Sequence, residues 1–350
     1  MSNSPLIDVR APIEFVKGAF PGAVNLPLLN DEERHLVGVR YKELGQDSAI
    51  ELGAELVNEE LKATRVHQWL QYVKENPGCA LYCFRGGLRS RISQQWLLEQ
   101  GVEIPLVRGG YKAMRRYLID NLSRFCQTFS FKIIGGRTGN GKTNVLRRFR
   151  QSIDLEELAR HRGSSFGSLI QKQPSNIDFE NALAIEFLKL ENIGSSTVIL
   201  EDEARLIGRV CLPDSLRAAM QESPLFILEC DMETRINNCF DDYVTRLLKL
   251  YVDSLGEEAG FAAYSQHHKD SLERIRKRLG EDNYSEAMTM LERSLSLHQL
   301  HGDTSTYREV IQLLLQQYYD PMYDYQLKQK QHRIAYSGTE DQLLVGIGAD

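Results

Sequence analysis

Apolar residues fall in two rhythms along this chain. Short apolar runs bounded by turn residues predict buried strands, and stretches with apolar positions three and four apart predict helices. PLIDV, residues 5–9, is the first such run, and AVNLP, residues 23–27, follows turn signals at Gly18 and Pro21-Gly22. Residues 48–76 place Leu52, Leu56, Leu61, Val66, Trp69, Leu70 and Val73 on one helical stripe. CALYC, residues 79–83, predicts a second buried strand, and LRSRISQQWLLEQG, residues 88–101, a helix ended by Gly101. IPLVRGG, residues 104–110, predicts another strand and YKAMRRYLIDNL, residues 111–122, another helix. This alternation predicts a mostly parallel α/β sheet in a first domain, residues 1–127.

TFSFKIIGGRTGNGKT, residues 128–143, opens a fresh strand–loop–helix unit, with further strands expected at residues 196–202 and 224–231. Residues 128–231 are read as a P-loop α/β core. From residue 232 the pattern turns helical and polar, notably over residues 271–280, 284–300 and 307–327, with a last strand at HRIAYSG, residues 332–338. Residues 232–350 are read as a mostly helical extension.

Composition adds limits. At 42% hydrophobic and 26% charged, the chain supports a packed core. It has no apolar run of the roughly 18 residues that suggest a membrane span, and MSNSPLIDVRAP lacks the basic and apolar regions of a secretory leader. A cytoplasmic protein with no membrane partner is expected. Its six cysteines are scattered, which suits a reducing compartment. Cys79 and Cys83 have no second pair to complete a zinc site, so no metal is assigned with certainty and no tightly bound cofactor is expected. The net charge of −6 does not exclude RNA, because residues 128–180 hold 9 Lys and Arg against 5 Asp and Glu.

Gly136, Gly139, Gly141, Lys142 and Thr143 complete the pattern G-x4-G-K-[ST] between an apolar strand and a helix. Glycines there let backbone N–H groups face phosphate oxygens, Lys142 reaches the terminal phosphates, and Thr143 faces a metal such as Mg2+ if one binds. The motif specifies phosphate and leaves ATP or another diphosphate open. An acidic partner belongs at the end of a second buried strand, and TVILEDE offers Asp202 first and Glu201 as the alternate. Arg162, Ser164 and Ser165 in HRGSSFGSL either extend the phosphate site or cap a turn.

LYCFRGGLRSR, residues 81–91, sets Cys83 between a strand end and a helix start. A loop of Phe84, Arg85, Gly86, Gly87 and Leu88 can aim several N–H donors at the sulfur, and Arg85, Arg89 and Arg91 add positive charge. Both lower a thiol pKa and make Cys83 the candidate nucleophile, while Cys79 reads as a core thiol. The spacing from Cys83 to Arg89 and Ser90 is that of a phosphatase loop; a sulfurtransferase loop is commonly one residue shorter.

LIDVRAPIEFVKGAFPGAVNLPL, YCFRGGLRSR and VRGGYKAMRR together resemble a rhodanese domain. Fused to GGRTGNGKT, HRGSSFG and LEDEARLIG, nearly the whole chain resembles the bacterial tRNA 2-selenouridine synthases. The resemblance implies a tRNA partner with a 2-thiouridine derivative at the wobble position. It implies geranyl transfer from geranyl diphosphate, then replacement of S-geranyl by selenium from selenophosphate. It also places a selenium-bearing intermediate on Cys83, and an enzyme that supplies selenophosphate is an expected partner. Phe84 stands where Trp is common in the family, and Leu88 where Met is frequent; neither removes a catalytic group.

Arg115, Arg116, Arg147, Arg148 and Arg150 are candidates for tRNA phosphates, as is the run at residues 274–278. Tyr318, Tyr319, Tyr323 and Tyr325 could stack bases, but their spacing favours packing. Competing readings are a sulfurtransferase or Cys-loop phosphatase fused to a nucleotide-binding domain, and an RNA-binding module with an inert Cys83.

Overall fold

Three short parallel strands begin the computed structural model, which describes residues 4–348. They are β1 (Leu6–Asp8), β2 (Ala23–Asn25) and β3 (Ala80–Tyr82), in the order β2-β1-β3. Ile7, Val9, Leu81 and Trp69 are fully buried around them, and Trp69 Nε1 donates to Leu26 O at 2.9 Å. Just beyond β1 the buried Arg10 pairs with Asp8 at 2.6 Å, donates to Gly18 O at 2.8 Å, and lies 3.8 Å from the Tyr111 ring centre.

Two sequence expectations change here. The strand expected at residues 104–110 shrinks to one parallel bridge between Leu106 and Leu81. Pro105 has no amide to donate, and the chain passes at once into the helix Gly110–Thr128. The single helix expected over residues 48–76 is two, Asp31–Leu56 and Glu59–Glu75, because Asn58 caps the second by accepting from Leu61 N at 3.0 Å. The first begins at a reciprocal cap between Asn30 and Glu33 and bends at Gly45, whose φ is 83°. Gly101 does close the helix Leu88–Leu98: its N–H bonds Leu98 O at 2.8 Å, and Val102 N bonds Leu97 O at 3.0 Å.

This first compact unit takes the residues up to Phe125 and also Ser175–Lys189. The later stretch lies within residues 128–231 and forms most of the helix Asn176–Asn192. Asn181 Nδ2 donates to Ala19 O at 2.6 Å, and Phe187 stacks on Phe125 at 5.5 Å.

Cys126–Pro174 and the residues from Leu190 onward make the second unit. Its strands are β4 (Ser130–Gly135), β5 (Thr197–Glu201), β6 (Leu206–Ile207), β7 (Val210–Cys211), β8 (Leu225–Leu228) and β9 (Ile334–Gly338). The sheet β5-β4-β8-β9 is parallel throughout, while β6 and β7 form a separate antiparallel pair. Ile134 on β4 is paired with Glu201 on β5, which brings the P-loop and the end of β5 side by side. The following helices include Glu257–Leu279 and Glu281–His301, with Tyr264, Leu272, Leu291 and Leu315 in their core. Two segments, Asp241–Arg246 and Leu315–Tyr319, are wound as π-helix. The architecture is therefore the expected α/β one: a parallel-sheet domain, then a P-loop α/β domain with a helical C-terminal part. Among the described residues, no helix is long and apolar enough to cross a membrane.

Candidate functional site

Cys83 follows β3 directly, and the turn after it leads into the helix Leu88–Leu98. Gly86 takes a φ of 67° inside that turn. The turn is held from outside: Tyr111 N donates to Cys83 O and Lys112 N to Phe84 O, each at 2.9 Å. Gly110 makes this approach possible, since its φ is 59° and a Cβ there would collide with Cys83 O and Gly86 N. Cys83 is 3% exposed, and its Sγ lies 3.2 Å from Ser90 Oγ, which also donates to Gly87 O at 2.9 Å.

Burial pushes the Cys83 thiol up. The Ser90 hydroxyl and the backbone N–H groups of Ser90, Arg85 and Gly87 outweigh it, and the thiol ends below its ordinary range. Burial alone dominates at Cys79, whose thiol is pushed up. Arg89, one of the three arginines expected to add positive charge around the loop, pairs with Glu14 at 2.5 Å, and Arg34 joins the same carboxylate at 3.0 Å. Phe84, Arg85 and Leu88 are exposed at the mouth of the loop, where Phe84 stacks on Tyr111.

In the second unit the P-loop follows β4. Gly139 has a φ of 84°, and a Cβ there would sit 2.7 Å from Arg235 O. Gly136 and Gly141 also take positive φ. Two loop carbonyls are held by donors from outside the motif: Arg235 Nε bonds Thr138 O at 2.9 Å and Asn238 Nδ2 bonds Gly139 O at 2.8 Å. Lys142 Nζ donates to Gly136 O at 3.1 Å. Arg235 and Asn238 were not foreseen; their three-residue spacing on the helix Met232–Phe240, facing the loop, is the only local signal. The helix after the motif is short, Lys142–Leu146.

The acidic partner differs from the preferred one. Asp202 is taken up by Lys330 at 2.5 Å and Arg333 at 3.2 Å. Glu201 is 2% exposed and faces Lys142 and Thr143. Burial pushes its carboxyl up, against the pull of the Lys142 charge and the Thr143 hydrogen bond. The position beside Thr143 thus belongs to Glu201, the alternate.

A cavity of about 710 Å³ joins the P-loop to the turn at residues 162–165. Ser164 Oγ lies 2.8 Å from Tyr243 Oη, Ser165 Oγ lies 3.5 Å from Tyr318 Oη, and Arg162 pairs with Asp242. Both π-helical segments contribute tyrosines to this wall.

The basic residues separate into different environments. Arg115 is engaged by Glu180 and by Asn181 at 2.9 Å, whereas Arg116 and Arg150 are exposed. Arg147 lines the cavity and pairs with Asp154 at 3.1 Å; Arg148 lies 3.8 Å from Glu340. In the run at residues 274–278, Arg274 donates to Ser165 O and Arg276 bonds Glu281. Tyr318 and Tyr319 are buried, Tyr323 is half-buried, and Tyr325 is exposed.

Comparison with known proteins divides the chain into two consecutive matches. Residues 1–116 match the rhodanese-like domain, and residues 129–348 match the tRNA 2-selenouridine synthase AAA domain. The chain is 50% identical over 338 residues to a tRNA 2-selenouridine synthase of Marinobacter nauticus, covering 97% of this chain and 92% of the relative. Proteins of the same name from Shewanella woodyi and Hahella chejuensis are each 48% identical over 339 residues, covering 97% of this chain and 92% and 89% of theirs. The chain belongs to the tRNA 2-selenouridine synthase family.

Proposed function

We propose that this protein converts the wobble 2-thiouridine of tRNA to 2-selenouridine in two linked reactions. In the first, the thio sulfur is alkylated by geranyl diphosphate and diphosphate leaves. In the second, water takes the phosphoryl group of selenophosphate to phosphate, and the selenide-level selenium, held at the Cys83 thiolate, attacks C2 of the base and expels the S-geranyl group as geranylthiol. Ser90 and the N–H groups of the loop hold the anionic chalcogen on Cys83. The P-loop with Lys142 holds the diphosphate that leaves in the first reaction.

One observation carries the prenyl half of this reading. An apolar cavity of about 60 Å³ shares Thr138, Cys239, Tyr243 and Tyr319 with the phosphate cavity, and Leu291 and Leu314 line its far side. Phosphate donors beside an apolar recess suit a diphosphate that carries an apolar chain. A geranyl chain is larger than this recess, so its entry displaces lining side chains.

The test supplies thiolated tRNA, geranyl diphosphate and selenophosphate and weighs the nucleosides. Lys142→Ala is expected to lose geranylation yet still selenate tRNA that was geranylated beforehand. Survival of both steps in that variant removes the P-loop as the prenyl diphosphate site.

A further inference from the structure

Three carboxylates meet across the phosphate cavity. Glu156 comes from the short helix Leu155–Ala159, Glu201 ends β5, and Glu203 follows it by two residues. One oxygen of each lies within 4.8 Å of the others. Glu201 Oε1 is buried with no hydrogen-bond partner, although the residue is only 2% exposed. A buried carboxylate oxygen left without a donor is costly, so its lone pairs call for a ligand.

Nearby charges do not supply one. Lys142 is the cation that acts on all three carboxylates, and its Nζ already donates to Gly136 O. Arg147 is paired with Asp154, and Asp202 holds Lys330 and Arg333. One lysine against three carboxylates leaves the cluster short of positive charge. The turn above it is shaped to leave room. Gly163 has a φ of 58°, and a Cβ there would collide with Glu156 Oε1 and lie 3.3 Å from Glu203 Oε2. Arg162, which could have closed over the acids, pairs with Asp242 instead.

We infer that Glu156, Glu201 and Glu203 form a divalent-cation site of the Mg2+ and Mn2+ class, built by the protein itself. All its side-chain donors are hard oxygens, which suits these ions over softer metals. A cation held only by Thr143 and a diphosphate would depend on that diphosphate. Three carboxylates bind without it, so the site does not rest on the prenyl reading.

The experiment titrates Mn2+ into the full-length protein without any phosphate compound and follows free Mn2+ by electron paramagnetic resonance. One bound Mn2+, displaced by Mg2+, is expected. Glu156→Gln and Glu203→Gln should each weaken it on the order of tenfold, because affinity follows ligand charge. Thermal melts guard against misfolding. Both variants lose carboxylate repulsion, so without metal they should melt no lower than the parent, yet lack its Mg2+-dependent rise. Unchanged Mn2+ affinity in both variants overturns the proposal. So does the absence of binding until diphosphate is added, which would assign the ion to Thr143 and the diphosphate alone.

Discussion

Ser90 Oγ lies 3.2 Å from Cys83 Sγ, and Ser90 is fully buried. The hydroxyl belongs to the first turn of the helix that follows the cysteine loop, so thiol and donor are fixed by the same short segment. Together with three backbone N–H groups, it holds the sulfur ready to carry negative charge.

Alkylation of Cys83 by iodoacetamide is therefore expected to reach half its maximal rate at a lower pH than an ordinary thiol does. Ser90→Ala should move that midpoint up, and Cys79 should stay unreactive across the range. The sign for stability follows from the lowered thiol. Its contribution is fully present above the unfolded thiol's pKa and is lost as pH falls through the folded one. Cys83→Ala should abolish selenation, whereas Cys79→Ala should cost about 1 kcal/mol in a urea melt. Full selenation by the Cys83 variant would falsify its role as the selenium carrier.

The P-loop leans on a distant pair. Arg235 holds Thr138 O while Nη1 and Nη2 grip Asp320 at 3.0 and 2.5 Å. Asp320→Ala leaves a guanidinium buried without its carboxylate, so a loss of about 3–5 kcal/mol is expected in denaturant melts. Geranyl diphosphate binding, read by calorimetry, should fall as well. Arg235→Lys should not restore it, because one ammonium cannot serve two carboxylate oxygens and a carbonyl in that planar arrangement.

The apolar recess offers a separate lever. Leu314→Phe adds volume where a prenyl chain would lie, at about 1–3 kcal/mol of overpacking. Geranylation should fail while selenation of previously geranylated tRNA persists. Equal geranylation rates in variant and parent would place the chain elsewhere.

Both loops were legible because their chemistry is contiguous: eight consecutive residues make the phosphate motif, and eight run from Cys83 to Ser90. The choice between Glu201 and Asp202 was not. Glu201 is the last residue of β5 and Asp202 the first beyond it, and Asp202 is taken up by Lys330 and Arg333, more than a hundred residues later. Arg89 shows the same limit, since its partner Glu14 lies 75 positions away. Arg115 looked like a free basic residue on a helix face until Glu180 and Asn181 folded against it. The helix Asp31–Leu56 escaped because its stripe is weak and Gly45 breaks it, although Asn30 and Glu33 spell a capping signal.

Strand β9 pairs with β8 from Leu225↔Ile334 to Leu228↔Gly338, so the edge of the phosphate-site sheet comes from residues more than a hundred positions after its neighbour. During synthesis, β4, β5 and β8 emerge and wait through the whole helical region with one side of β8 unpaired. The nascent chain thus carries an open strand edge until β9 has been made, and a ribosome that stalls within the helices leaves a chain primed to pair with its neighbours.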